Sequence, residues 1–390
     1  MYNNKVIIIV PLYKNYLSVV EQISLKQLFL ILGKYDICFI VPDSLRHYLI
    51  EKYPGVRVEG FCDSFFTDIY SYSALLLEQS FYKRFLEYEF MLIYQTDAFV
   101  FEDRLIEFID EGYDLIAAPV AKEYWPELNL RIGNGGFTLR KIQTMFDFVI
   151  NKERVIQIWH KAHPLDNPIS IEQYEDKYFA YCMELKYNSV TAPTLERAFE
   201  FSIDFNINGV FCGLERHIPF GCHRWSKYKF KEWWGIIEQY GYVLTEFQKN
   251  ELISQDYNYN KRILIGKICS RGIEDIVLSA MRNEITSNGS VVLWGYGETG
   301  KEAEKVLDIL NIQIEMIIDS NPTSIKVSYP LPQILSNICS PIIVCSKKYS
   351  KEIIQKIRKI GIGKRVITWD EAMLNWINKL KIDEIGSTQV

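Results

Sequence analysis

The sequence lacks long apolar runs, a basic excess and internal repeats, and each absence excludes a class of protein. No apolar stretch reaches ~18 residues, so we expect no membrane-spanning helix. The net charge is −5 and the pI is about 5.7, which argues against nucleic acid as the main partner. There is no short repeat and no low-complexity tract, so a solenoid or a biased, unfolded segment is not indicated.

Paired cysteines are also missing. The eight cysteines form neither a CxxC pair nor a zinc-type spacing, and most lie in apolar segments. We interpret them as reduced core residues of a cytosolic protein. Residues 1–5 lead directly into a strand without the order of a signal peptide, which also predicts a cytoplasmic location. Peripheral association with the inner face of the membrane, and self-association, are left open. The eight are Cys38, Cys62, Cys182, Cys212, Cys222, Cys269, Cys339 and Cys345.

What is present indicates an α/β protein of more than one domain. The chain has 390 residues, 48% of them hydrophobic and 24% charged, which are ordinary globular values. Short β-branched runs alternate with helical patterns, and this alternation predicts a mostly parallel sheet covered by helices. We place this domain at 1–240, a helical linker at 241–286 and a smaller α/β domain at 287–390. Two finer predictions are a single helix over 71–85 and a polar break at 255–261.

The segment Met91–Ala98 contains the most informative residue. An apolar strand ends in Gln95, Thr96 and Asp97, and a carboxylate does not belong unpaired in a sheet core. Asp97 should therefore lie at the carboxyl end of its strand, where open α/β sheets bind ligands. The alternative is that Asp97 caps a following helix.

Three later segments carry further candidates. Gly133–Arg140 contains a glycine turn, Glu175 and Asp176 form an acidic pair, and Phe220–Trp225 carries His223. Taken singly, each has an ordinary structural explanation: a turn, the first turn of a helix, or a structural histidine. Their order along the chain after Asp97 is more specific than any one of them.

In this order the segments resemble glycosyltransferases of the GT-A fold, and most closely the DUF5672 family, a bacterial group of unknown function. The shared pattern is a strand ending in Q-x-D, a G-N-G-G-F-[ST]-L-R turn, an E-D pair and a late F-G-x-H, which spans roughly residues 5 to 235. The resemblance implies a GT-A-like sheet and transfer of a sugar from a nucleotide diphosphate. Gln95 replaces the first Asp of the usual D-x-D motif, so one charge of the metal site is missing.

The resemblance also implies roles for individual residues. Asp176, and after it Glu175, would be the general base, and Asp97 with His223 would bind Mn²⁺ or Mg²⁺. A donor-binding set and an acceptor-binding set complete the site. The donor set is Pro11, Tyr13, Lys14, Gln95, Thr96, Asp97, Gly135, Gly136 and Arg140; the acceptor set is Trp125, Asn134 and Trp225.

The C-terminal domain carries a separate glycine motif. Gly295, Gly297 and Gly300 follow a strand and open a helix, and Asp319 closes the next strand. This is the context that the dinucleotide fingerprint requires, and it predicts a Rossmann-like unit. Three interpretations stay open: a nucleotide or nucleotide-sugar site, a packing or oligomerisation module, and an NAD-dependent redox domain.

The sequence therefore predicts a glycosyltransferase that moves a sugar, from UDP in the first instance, to a hydroxyl of a glycan or lipid-linked glycan. Inversion is favoured because the acidic pair offers a base, and the setting would be synthesis of a surface polysaccharide or a glycoprotein glycan. One alternative is an inactive nucleotide-sugar-binding or scaffold protein, suggested by Gln95. Another is an NAD-dependent sugar oxidoreductase, suggested by the C-terminal glycines alone.

Overall fold

The chain folds into two compact units, one formed mainly by Met1–Asp256 and the other by Tyr257–Ile385. The helical stretch predicted as a linker, 241–286, is divided between them. We describe them from a computed structural model. It describes residues 5–120, 125–163, 171–186, 189–204, 217–270, 272–320, 327–328, 330, 332–335, 337–362 and 365–380.

The first unit is built on a six-stranded sheet of order β3-β2-β1-β4-β7-β6. β1, β2, β3 and β4 are parallel, whereas β7 runs antiparallel to both of its neighbours. The antiparallel strand therefore begins at the edge of the sheet where β4 ends. The strands are β1 Val6–Pro11, β2 Asp36–Pro42, β3 Arg57–Phe61, β4 Phe90–Tyr94, β6 Leu115–Ala117 and β7 Phe137–Lys141.

Alternate residues of these strands supply two apolar cores, one on each face of the sheet. In β1, Ile7 and Ile9 belong to one core, while Val6, Ile8 and Val10 belong to the other. Such strands read as continuous apolar runs because both of their faces are buried. The helices of this unit are α1 Val19–Leu32, α2 Asp43–Lys52, α3 Ile69–Leu76, α4 Gln79–Lys83, α5 Leu105–Asp110, α6 Ile142–Ile150, α7 Lys152–Ala162, α8 Glu175–Leu185, α9 Leu195–Phe201 and α10 Phe230–Ile237.

A small sheet extends the carboxyl end of β4. β5 (Phe99–Val100) follows β4 closely and pairs with β9 (Gly221–Cys222), which also pairs with β8 (Ser202–Ile203). An aromatic cluster that includes Trp225, Trp233 and Trp234 packs on this sheet. The small sheet thus fixes a late segment of the chain next to the end of β4.

The second unit is a five-stranded sheet of order β12-β11-β10-β13-β14, with every pairing parallel. Numbered within the unit, this order is 3-2-1-4-5, the start of the doubly wound dinucleotide-binding order. Its elements are α12 Asp275–Ile285, β10 Ser290–Trp294, α13 Glu298–Ile309, β11 Gln313–Ile318, β12 Val327–Ser328, α14 Pro332–Leu335, β13 Ile342–Val344, α15 Ser350–Lys359, β14 Val366–Thr368 and α16 Trp369–Leu380.

The predicted fold class is confirmed: α/β, with a mostly parallel sheet flanked by helices and a second, smaller α/β unit. Two finer predictions are wrong. The helix predicted over 71–85 is two short helices, α3 and α4, and the backbone N–H of Leu77 closes the last turn of α3. The polar break predicted at 255–261 is absent, because a single helix, α11, runs from Glu246 to Cys269. Helix propensity is a weak preference that tertiary packing overrides, so a run of polar residues does not by itself mark a helix end.

Candidate functional site

The carboxyl end of β4 is held in place by the turn that precedes β7. The backbone N–H of Gln95 donates to the carbonyl of Gly136 at 2.9 Å, which continues the β4–β7 ladder beyond Tyr94. The backbone N–H of Gly136 in turn donates to the side-chain oxygen of Asn134 at 3.2 Å. The two predicted segments, Gln95–Asp97 and Gly133–Gly136, are therefore neighbours in space.

His223 reaches the same edge because it directly follows β9. Its Nε2 atom lies 3.1 Å from Asp97 Oδ1 and 3.1 Å from Gln95 Oε1. A Cβ added to Gly136 would lie 2.1 Å from the same nitrogen, so only glycine leaves room for the imidazole. Burial lowers the pKa of His223, but the carboxylates of Asp97 and Asp204 outweigh it and raise that pKa to about 9.

Asp204 lies behind the imidazole and is fully buried. Its carboxylate is 3.6 Å from His223 Nδ1 and accepts hydrogen bonds from Arg224 Nε at 2.7 Å and from the Asn134 side chain. Arg224 has a φ of 57°, the left-handed region that non-glycine residues seldom adopt. Backbone held this way is concentrated at functional sites, and here it turns the chain between His223 and Lys227.

Lys227 pairs with the second oxygen of Asp97. Its Nζ atom lies 2.7 Å from Asp97 Oδ2, and its side chain remains 57% exposed. Burial acts to raise the pKa of Asp97, but the opposing charges of His223 and Lys227 hold that pKa well below its usual range. Asp97 is therefore an ionised carboxylate with a cation at each oxygen.

Glu175 and Asp176 open α8, yet their surroundings differ. Glu175 is buried and accepts from Arg140 Nη2 at 3.1 Å and from Ser73 Oγ at 2.9 Å. Asp176 is only partly buried and accepts from the backbone N–H of Lys177 at 2.7 Å. Burial, reinforced by the negative charge of Glu175, raises the pKa of Asp176 to about 7. Asp176 can thus exchange a proton near neutral pH, while Glu175 is committed to Arg140.

Two consecutive glycines bring these groups together. A Cβ on Gly135 would lie 2.4 Å from Glu175 Oε1, and a Cβ on Gly136 would meet His223 Nε2. The acidic pair and the Asp97–His223 pair therefore approach adjacent residues of one turn, although they are far apart in sequence. Carboxylates with contrasting environments in one site are typical of acid–base chemistry.

A cleft of about 610 Å³ opens beside Asp97. Its walls come from the end of β1, the start of α1, the start of α3, the Gln95–Asp97 segment and α11. Lys14 lines it and pairs with Glu21 at 2.9 Å, and Glu21 also completes the N-terminal cap of α1 with Ser18. The cleft is lined by six of the predicted donor-binding residues: Pro11, Tyr13, Lys14, Gln95, Thr96 and Asp97.

Three predicted contact residues are placed in the core instead. Arg140 is completely buried with Glu175, because β7 directs it to the sheet face that α8 covers. Trp225 is also completely buried and donates from its indole to Ser24 Oγ at 3.0 Å. Trp125 is 7% exposed and its ring lies against Gly133. We therefore do not carry Arg140 forward as a donor-binding residue, or the two tryptophans as acceptor-binding residues.

Sequence reasoning missed Lys227, Asp204 and Tyr72. Lys227 follows His223 by four residues, so its position in the late segment was a usable signal. Asp204 and Tyr72 are brought in by long-range packing, and Tyr72 lines the cleft from α3. Nothing in their local sequence distinguishes them from other buried polar residues.

The glycine loop of the second unit is explained mostly by packing. Gly295 has a φ of +103°, and a Cβ on Gly300 would lie 2.2 Å from the Gly295 carbonyl oxygen. At Gly297 an added Cβ would meet nothing within 4 Å. Asp319 Oδ2 accepts from the backbone N–H of Tyr296 at 2.6 Å, which ties the end of β11 to the loop. Of the three glycines, only Gly297 leaves space for a ligand.

Comparison with known proteins finds a family model that is similar to part of the chain. Residues 55–223 match the family model described as a protein of unknown function, DUF5672. This match confirms the predicted DUF5672 resemblance over a stretch that begins before Asp97 and ends at His223. No curated protein matches the sequence.

Solved structures also include matches to this chain. Mouse xyloside xylosyltransferase 1, in its apo form, is 11% identical with a TM-score of 0.38, over 56% of this chain and 97% of the mouse chain. In the part of the chain that the structure describes, no helix is long and apolar enough to cross a membrane. The functional proposal below therefore rests on the geometry of this chain.

Proposed function

We propose that the first unit is a glycosyltransferase that uses a nucleotide-sugar donor, UDP-linked in the first instance. The observation that carries the proposal is the Gly135–Gly136 turn, which joins the acidic pair to the Asp97–His223 pair beside a cleft of about 610 Å³. The acceptor would be a hydroxyl of a glycan or lipid-linked glycan in surface polysaccharide or glycoprotein glycan synthesis.

Asp176 would be the base. Its carboxylate would take the proton of the acceptor hydroxyl while that oxygen bonds to the anomeric carbon of the donor and the bond to the diphosphate breaks. A base works best when its pKa is near the working pH, and the pKa of Asp176 is about 7. Direct displacement of this kind inverts the anomeric configuration.

The atoms around His223 are of the kinds that a divalent metal binds, and the metal would have to displace the proton of His223. Two oxygens, Asp97 Oδ1 and Gln95 Oε1, each lie 3.1 Å from Nε2, and Asp204 stands behind Nδ1 as a carboxylate that orients the ring. Asp97 and His223, with Gln95 as a neutral oxygen donor, would hold Mn²⁺ or Mg²⁺. When bound, the ion would offset the charge of the departing diphosphate.

The charge of this set is low for a metal site. Among the described residues, no group of three or more His, Cys, Asp and Glu side chains is placed to hold a metal ion. The donor diphosphate would therefore have to complete the coordination. Lys227 lines the cleft and could supply a second positive charge to the phosphates.

Release of free nucleotide from UDP-, GDP- and dTDP-sugars, measured with Mn²⁺ and with EDTA, tests the proposal. We expect slow hydrolysis of one donor, dependent on metal and lost in Asp97→Asn. Asp110→Asn is the matched control, because Asp110 is an exposed aspartate that pairs with Lys5 far along the chain. Calorimetric titration of the same donors separates binding from turnover.

The non-catalytic alternative has one specific observation in its favour, the Lys227 ammonium already seated on Asp97. It predicts that one donor binds in calorimetry while no nucleotide is released, with or without an acceptor. Absence of donor binding as well as release would contradict both the transferase and the binding-protein interpretation.

A further inference from the structure

Two tyrosines outside the predicted site stand next to the proposed base. The ring centroids of Tyr70 and Tyr174 are 5.5 Å apart with an interplanar angle of 64°, and their hydroxyl oxygens are 3.3 Å apart. Tyr70 is 51% exposed and Tyr174 is half-buried. The pair therefore presents aromatic surface and two hydroxyl groups to solvent.

The position of Tyr174 in the chain places the pair near Asp176. Tyr174 directly precedes Glu175 and Asp176, and it is the N-cap residue of α8. The hydrogen bond that Tyr174 donates to Tyr70, together with burial, raises the pKa of Tyr174 to about 12, and the charge of Asp176 adds to the shift. The charge of Asp176 is therefore part of the surroundings of the Tyr174 phenol.

Tyr70 connects this position to the cleft. It lies on α3, where Ile69 and Tyr72 line the cleft and Ser73 donates to Glu175. Ser73 is three residues after Tyr70 and four after the cleft residue Ile69, so on α3 it lies between the two. One turn of α3 therefore separates the cleft from the tyrosine pair.

The chemistry of the pair suits a sugar ring. A tyrosine offers an apolar face with a polar tip, and a pyranose offers apolar C–H faces edged with hydroxyl groups. Binding sites that combine aromatic walls with a few placed polar groups fix both position and orientation. In contrast, the tryptophans expected to play this part, Trp125 and Trp225, are buried.

We propose that Tyr70 and Tyr174 form the acceptor subsite, where a pyranose ring of the acceptor stacks so that its hydroxyl faces Asp176. This inference rests on the proposed function, since it assigns the acceptor side of the same reaction. It commits to a carbohydrate acceptor and excludes a bare lipid alcohol as the recognised group.

The test separates the subsite from the transferase proposal. Tyr70→Ala and Tyr174→Ala are compared with wild type in two assays: acceptor-free release of nucleotide, and saturation-transfer NMR of a panel of methyl glycosides in the presence of UDP. We expect donor hydrolysis to be unchanged. We expect binding of at least one methyl glycoside to weaken about tenfold in each variant, the scale of one aromatic contact.

The conservative variants and a control keep the test decisive. Tyr70→Phe and Tyr174→Phe keep the ring, should retain most of the glycoside binding and guard against misfolding of the alanine variants. Tyr349→Ala removes an exposed tyrosine of the second unit and should change nothing. If the alanine variants bind glycosides as wild type does, or if wild type binds none, the subsite is wrong. If glycosides bind through these tyrosines but no donor is bound or hydrolysed, the transferase proposal fails, and the tyrosine pair is a carbohydrate-binding site without an acceptor role.

Discussion

The carboxyl edge of the first sheet and the glycine loop of the second unit are built in opposite ways. The first edge assembles charged side chains from segments more than 120 residues apart, as in the Asp97–His223 pair. The second is contiguous, running from β10 through Gly295–Gly300 into α13, and Asp319 reaches it from just after the next strand. The contiguous motif is easily recognised, yet packing explains most of it. The dispersed one holds the groups to which we assign the proposed acid–base chemistry.

The largest effect on sugar transfer is expected when the proposed base, Asp176, is removed. Asp176→Asn should lower sugar transfer about 10²–10⁴-fold while donor binding stays as in wild type. In wild type, the rate should rise with pH through about 7, because Asp176 must be ionised to accept a proton. Steady-state kinetics against pH measure both effects. Glu172→Gln, an exposed acid just before α8, is the control, and equal losses in the two variants would contradict the assignment.

Asp176→Asn should also be more stable than wild type at pH 8. Asp176 holds its proton up to about pH 7 in the folded chain but only to about 3.8 when unfolded. The folded state therefore binds more protons in this window, and the contribution of Asp176 to stability falls as pH rises through it. Asn has no such cost, so Asp176→Asn should melt above wild type at pH 8 and converge with it near pH 4. A lower melting temperature at pH 8 would show that Asp176 is a structural residue.

Removing one partner of the buried Arg140–Glu175 ion pair tests how much the pair stabilises the first unit. Arg140→Met should destabilise the first unit by about 3–5 kcal/mol, because Glu175 would keep a buried charge without its partner. The double variant Arg140→Met/Glu175→Gln should recover part of this loss. Chemical denaturation followed by tryptophan fluorescence gives both values, and strict additivity of the two changes would mean that the pair is not coupled.

A substitution at Gly136 tests the close contact between the glycine turn and His223. Gly136→Ala should cost about 1–3 kcal/mol, since the new Cβ must displace His223. Activity should fall about 10²-fold, as expected when a catalytic group moves by about 1 Å. Gly235→Ala in α10 is the control; its Cβ would meet nothing within 4 Å, and it should be neutral or stabilising by up to about 1 kcal/mol. Equal melting temperatures of the two variants would contradict the close contact.

The smallest effect on stability is expected at Gly297 in the second unit, and Gly300 provides the comparison. Gly300→Ala should cost about 1–3 kcal/mol, because its Cβ meets the Gly295 carbonyl. Gly297→Ala should stay within about 0.5 kcal/mol of wild type and should weaken nucleotide binding to this unit. Calorimetry with UDP and with NAD, alongside thermal melts, checks the pair. Nucleotide binding unchanged in Gly297→Ala would favour the packing interpretation of the loop.

The sequence predicted the strands best, because the runs that form β1 and β4 are buried on both faces and show no other pattern. It also placed Asp97 correctly after β4, since polar residues are excluded from such a core. It could not predict that Arg140 is buried. The local pattern of β7 does not tell which face an opposing helix covers, and only Glu175, 35 residues later, supplies the partner charge.

The roles within the site were only partly predictable for the same reason. Glu175 and Asp176 are adjacent and chemically alike, and the sequence predicted Asp176 as the base without a physical reason to separate them. The structure supplies one, because Ser73 and Arg140 reach Glu175 and leave Asp176 partly exposed. Such distinctions depend on contacts between distant segments and not on local residue type.

The antiparallel setting of β7 has a consequence for folding accuracy. Arg140 pairs with Met91 across the ladder, whereas its neighbours Phe137 and Leu139 belong to the apolar core on the other face of the sheet. If β7 slipped by one residue, every side chain would change face and Arg140 would enter that apolar core without Glu175. An unpaired guanidinium there costs several kcal/mol. The buried charge thus penalises the mispaired sheet and protects the alignment of the glycine turn before any substrate is encountered.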